Sequence, residues 1–141
     1  MKYDDASWHY GGDFPDDLPD AAGGTHIGMF LAWAAHSERI GSLHTDDFSE
    51  ELAELRRRQV TPGAWFLSAC DEKLTDEDFT AEGNAFALSY YEEGYLADYS
   101  ELFLDEFEST YHVPDTWETF ERVKPLLDER FAAFRAREEA R

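Results

Sequence analysis

The sequence predicts a mostly α fold, a single-domain bundle of about five to six helices within residues 1–141. Three observations predict it. Apolar residues recur at helical spacing through most of the chain, the runs are bracketed by capping residues, Gly or Pro, and alternating polar–apolar stretches of strand length are absent. With 43% hydrophobic and 16% aromatic residues, 141 residues are enough for a packed core and too apolar for disorder.

Residues 1–24 hold two Gly-Gly pairs and two prolines among many Asp residues. They read as an irregular arm that docks onto a helical body, 25–141, through Tyr3, Trp8, Tyr10 and Phe14. Thr25 is placed to cap a helix through IGMFLAWAAHSERI to Gly41. Ile27, Phe30, Leu31 and Ala34 make one face and Met29 and Trp33 the other, so this helix is expected at the centre, buried nearly all round. Thr45 caps a second helix carrying Phe48, Leu52 and Leu55, with acids early and Arg56-Arg57-Arg58 late, which compensates the helix dipole. Thr61-Pro62 opens a short helix through Trp65 and Phe66, and Thr75 with Asp78 forms a capping box.

From Tyr91 to Tyr111 an aromatic stands at every fourth position, with seven carboxylates between and no Lys or Arg. Four-residue steps advance about 40° each on an ordinary helix, so one stripe cannot bury all these rings. A break at Gly94 is therefore expected, giving helices over roughly 81–93 and 95–109. The second buries Leu96, Tyr99, Leu102, Phe103 and Phe107, and leaves Tyr91, Tyr95 and Tyr111 off the core stripe. Asp115 and Glu118 make a capping box for a last helix with the stripe Trp117, Phe120, Val123, Leu127, Phe131 and Phe134, kinked or restarted at Pro125.

Asp and Glu number 32 against 12 Lys and Arg, a net charge of −20, which argues against nucleic acid as a partner. One cysteine, Cys70, allows no internal disulfide and no zinc finger. The start MKYDDASWHYGG has no apolar core of the kind a secretory signal needs, and the longest apolar run, Ile27 to Ala35, is too short for a membrane span, so a soluble cytoplasmic protein is expected. Nucleotide loops and nucleophile elbows are missing, and no cofactor and no metal are expected.

Two constellations remain. Between Asp71 and Glu121 stand sixteen acids and a single Lys or Arg, Lys73. An anionic surface bearing Tyr91, Glu92, Glu93, Tyr95, Asp98, Glu101, Asp105, Glu108 and Tyr111 would steer and hold a cationic protein, with the tyrosines as anchors. Against this stands the plain reading of a solvated acidic face. The alternative is a small enzyme or a ligand- or metal-binding domain in which Asp4, Asp5, His9 and His26 converge. Against it stands a turn in which those acids bond backbone amides while Trp8 docks. Glu108 and His112 lack the partner motif of a di-iron bundle. A thiolate pair of Cys70 with His26 or His36 lacks any local signature, and Cys70 reads as a small buried hydrophobe.

The stretches KYDDASWHYGGDFP, THIGMFLAWA, EGNAFALSYY and PDTWETFERV resemble those of a family of small uncharacterised acidic bacterial proteins. The resemblance implies a bacterial cytoplasmic protein and carries no activity. In size, charge and class the chain is similar to immunity proteins of toxin systems. The expected function is thus an acidic protein-binding module, an immunity-type inhibitor that occludes a basic toxin or other cationic protein, as a monomer or homodimer.

Overall fold

Eleven of the twelve residues of one helix, Thr25–His36, are buried, as its apolar circumference requires. In the computed structural model, which describes residues 1–141, the other elements wrap around this helix. In order they are β1 (Lys2–Asp5), α1 (Ala6–Tyr10), α2 (Thr25–His36), α3 (Ser49–Arg56), α4 (Pro62–Ala69), β2 (Lys73–Thr75), α5 (Ala81–Tyr90), α6 (Leu96–Leu102) and α7 (Trp117–Glu139). The fold is mostly helical, and none of its helices is long and apolar enough to cross a membrane. Phe30 of α2 is the hub of the core, with ring centroids 4.9 Å from Tyr91, 5.0 Å from Tyr95 and 5.9 Å from both Phe79 and Phe86. Gly28 lets α4 cross closely, since a Cβ there would meet the Pro62 carbonyl oxygen at 2.6 Å.

The arm is more ordered than its Gly, Pro and Asp content suggests. β1 pairs antiparallel with β2, Lys2 opposite Thr75 and Asp5 opposite Lys73, with an irregularity between Lys2 and Asp4. The Asp5 carboxylate then caps α1, accepting from the Ser7 amide at 2.9 Å and the Ser7 hydroxyl at 2.7 Å. Trp8 does not dock: it is 56% exposed, with the Lys2 ammonium 5.0 Å above its ring. Tyr3 docks as expected, edge-on to Phe79 and donating to Asn84 Oδ1 at 2.6 Å.

Local signals hold where the partner is close in sequence. Thr61 caps α4 with Pro62 in its first turn, and the Thr75–Asp78 capping box is formed. Three boundaries move. A 3-10 turn, Asp20–Gly24, leads into α2, so Thr25 is its first residue and no side chain caps it. A widened turn, Leu43–Asp47, precedes α3 and swings His44 inward in place of a Thr45 cap. Thr116, not Asp115, caps α7, because the Asp115 carboxylate is drawn to the start of α4, where it accepts from the Gly63 amide at 2.8 Å. α7 runs through Pro125, which faces solvent, and buries Phe120, Val123, Leu127, Phe131 and Phe134.

The aromatic ladder departs most from expectation. Gly94 does not break the helix; a widened turn, Tyr91–Tyr95, joins α5 to α6. A turn with more residues per revolution cancels the drift of the four-residue spacing, so successive rings keep facing the core. Tyr91, Tyr95, Tyr99 and Phe103 are 6%, 0%, 0% and 4% exposed. α6 ends at Leu102, and Phe107, expected inside, is exposed in the loop that follows, as is Leu104. Arg122 holds that loop, stacking 4.6 Å over Phe103 and pairing with Glu106 at 2.6 Å.

Candidate functional site

The residues expected to make an acidic, tyrosine-bearing surface separate into two populations. Glu92, Glu93, Glu101, Asp105 and Glu108 are exposed, and Asp98 is half-buried between the Tyr90 hydroxyl at 2.7 Å and Arg130 Nε at 2.9 Å. The tyrosines do not join them. Tyr91 and Tyr95 are core residues and Tyr111 is half-buried, so none of the three is a surface anchor. The hydroxyls point instead into the other expected site.

Three of the four residues proposed for that site converge. β1 delivers Asp4, α1 delivers His9 and the first turn of α2 delivers His26, while Asp5 turns away to cap α1 and pair with Lys2 Nζ at 2.8 Å. Asp4 Oδ1 accepts from the Asp5 amide and engages His9 Nε2, both at 2.8 Å. Asp4 Oδ2 accepts from the Tyr91 hydroxyl at 2.6 Å and lies 3.5 Å from His26 Nε2. His9 Nδ1 meets the Tyr111 hydroxyl at 2.7 Å, and the two imidazoles stand edge to face with centroids 4.5 Å apart. Tyr95 donates to the His26 carbonyl at 2.6 Å, which fixes the first turn of α2 against the widened turn.

His26 is the anomaly in this arrangement. Its side chain is 2% exposed, and neither ring nitrogen has a hydrogen-bond partner. Its Nε2 approaches Asp4 Oδ2 to 3.5 Å without making an aligned hydrogen bond. Burial pushes the His26 imidazole below its usual value, so the ring is neutral near pH 7. Burial also acts to raise the Asp4 carboxyl, but His26, His9 and Tyr91 outweigh it and hold the group well below the usual carboxylate range. Burial, and then the neighbouring Asp4 charge, raise Tyr91 and Tyr111, so both remain phenols. The cluster sets the Asp4 carboxylate beside the neutral His26 imidazole and the Tyr91 and Tyr111 phenols.

One donor atom from each of Asp4, His9 and His26 lies within 4.8 Å of the others, which suits two imidazoles and a carboxylate around one transition metal. Tyr111 would then take the role of the outer partner that orients a ligating histidine. Tyr111 is also a wall of a pocket of about 320 Å³, lined by Leu18, Pro19, Ala22, Thr25 and Leu67 among others.

A second group was not foreseen: His44, Cys70 and Asp78 meet inside the protein, the histidine beside the cysteine being His44 rather than His26 or His36. Only Asp78 carried a signal, its capping box with Thr75; nothing in the sequence around His44 marks it as buried. At the surface, His112 Nε2 binds Asp17 at 2.9 Å and lies 3.4 Å from Glu108, tying the arm to the 110–112 turn.

Comparison with curated proteins gives no match, and comparison with solved structures gives none either. The family described as "Domain of unknown function (DUF7832)" matches residues 2–113, a span that holds Asp4, His9, His26, His44, Cys70, Asp78, Tyr91 and Tyr111 and stops before α7. The chain belongs to that family.

Proposed function

We propose that the protein is a ligand-binding domain whose working centre is a divalent transition-metal ion held by Asp4, His9 and His26. One observation carries the reading: a fully buried imidazole, His26, has both nitrogens unpartnered while facing a buried carboxylate and a second imidazole. A buried polar atom left without a partner costs about 1–3 kcal/mol, and a metal bond at Nε2 removes that cost. The neutral His26 imidazole and the ionised Asp4 carboxylate are in the protonation states that ligation needs. Three protein ligands leave coordination positions for water or a small molecule, and the pocket beside Tyr111 is the space through which one would come.

The test is competition for Zn²⁺ against a chromophoric chelator. His26→Gln and the partly exposed His9→Gln are each expected to lose one bound equivalent, with affinity lowered more than about 100-fold, beyond the loss of an outer partner. Tyr111→Phe is expected to lose about 10-fold. If folded His9→Gln and His26→Gln proteins bind zinc as the parent does, the reading fails.

A second reading is supported by a different observation. Glu92, Glu93, Glu101 and Asp105 are exposed with no cationic partner, and Leu104 and Phe107, close to Glu101 and Asp105 in the chain, are 67% and 37% exposed. This suits capture of a cationic protein in the manner of an immunity-type inhibitor, with Leu104 and Phe107 as anchors in place of the tyrosines. A partner recovered at low salt and lost at high salt supports it; recovery insensitive to both salt and Asp105→Lys excludes it.

A further inference from the structure

We propose that His44, Cys70 and Asp78 form a second, thiolate-bearing zinc site that ties together three turns. The inference is independent of the Asp4 centre.

The three side chains come from the widened turn before α3, the end of α4 and the 3-10 turn Asp76–Asp78. His44 is 0% and Asp78 2% exposed, while Cys70 is partly exposed and gives the group its opening to solvent. His44 Nε2 lies 2.8 Å from Asp78 Oδ1, and Cys70 Sγ lies 3.8 Å from the first and 3.7 Å from the second. Donors around a tetrahedral zinc, with bonds of about 2.0–2.3 Å, stand roughly 3.3–3.8 Å apart. The triangle therefore needs only the His–Asp edge to open. Sulfur, imidazole nitrogen and carboxylate oxygen together select zinc over magnesium or calcium.

Charge points the same way. Asp78 has no Lys or Arg partner; its oxygens meet the Thr75 amide, His44 and the Cys70 thiol. A thiolate and a carboxylate balance the two charges of Zn²⁺. On coordination the Cys70 proton leaves to solvent, and the proton by which His44 Nε2 donates to Asp78 passes to Nδ1, which is buried and has no other partner. The Thr75–Asp78 capping box acts as the outer support, since Asp78 Oδ2 accepts from the Thr75 amide at 2.8 Å. A Cys–His–Asp nucleophile is a poorer fit, because thiol and carboxylate approach the same imidazole nitrogen, whereas a catalytic histidine meets the nucleophile at one nitrogen and its orienting carboxylate at the other.

Cobalt substitution tests this, because only this site contains sulfur. Protein loaded with Co²⁺ is expected to show near-ultraviolet thiolate-to-cobalt absorption, kept in His26→Gln and lost in Cys70→Ser. One equivalent of Zn²⁺ in excess of the Asp4 site is expected to slow labelling of Cys70 by a thiol reagent at least about tenfold, as ligation buries the thiolate. Labelling on the unaltered chain decides the matter even if Cys70→Ser does not fold. Cobalt binding without the sulfur band, or labelling unchanged by zinc, overturns the second site and leaves the Asp4 centre standing.

Discussion

The two His–Asp groups are built from similar parts and set in different surroundings. The Asp4 group draws on residues 4, 9, 26, 91 and 111, is walled by phenols and adjoins a pocket. The His44 group draws on residues 44, 70 and 78, contains a thiol and backs onto Trp65, 5.4 Å between ring centroids. The first joins distant parts of the chain at a seam beside open space, and the second clamps neighbouring turns. The difference teaches that a donor set alone does not fix a role: a centre at a seam can exchange a ligand, whereas a clamp inside a capping box serves the fold.

The largest test of that contrast is Asp4→Ala. It leaves Tyr91, His9 and the Asp5 amide without their acceptor, and each buried group so stranded costs about 1–3 kcal/mol, read as a lower urea midpoint. Labelling of Cys70 in the folded variant is expected to stay unchanged, because the clamp is separate. Zinc at 100 times its dissociation constant should stabilise the fold by about 2.7 kcal/mol for each site. His26→Gln and Cys70→Ser are each expected to remove one such increment, and a variant that removes both would merge the two regions. Tyr91→Phe deletes one hydrogen bond to a carboxylate, about 1.5–3 kcal/mol, while Tyr111→Phe, half-buried and bonded to an imidazole, is expected to cost less.

Acid gives a smaller and graded effect. The folded His26 imidazole lies below its unfolded value of 6.5, so its contribution is complete above that pH and declines as pH falls beneath it. In chelator the slope is at most about 1.4 kcal/mol per pH unit, and His26→Gln is expected to flatten it. Asp4 is also depressed, so its contribution is present above 3.8 and declines in stronger acid, a second step that Asp4→Ala removes. Smallest of all, Leu104→Ser should alter stability by less than about 0.5 kcal/mol while weakening any low-salt partner, since the side chain is 67% exposed.

What could be read in advance was what short range decides. Thr61 with Pro62, Thr75 with Asp78 and the stripe from Phe120 to Phe134 are set by neighbours within a turn or two. β1 was illegible because four residues carry no usable alternation and their partner lies some seventy positions away. The aromatic ladder misled because its azimuths were reckoned on an ordinary helix, and the widened turn at Tyr91–Tyr95 reset them. That one reset moved Tyr91 and Tyr95 from the supposed surface into the Asp4 neighbourhood. Asp4, His9 and His26 were nameable by residue type, but their meeting depended on β1, whose pairing the sequence hides.

The placement of the tryptophans gives each centre a built-in lamp. Trp65, sealed inside against His44, will glow at shorter wavelengths, whereas Trp8, next to His9 in the chain and open to water, will glow at longer ones. A quenching ion entering either place should dim a different colour, so unlabelled protein can signal which door was used.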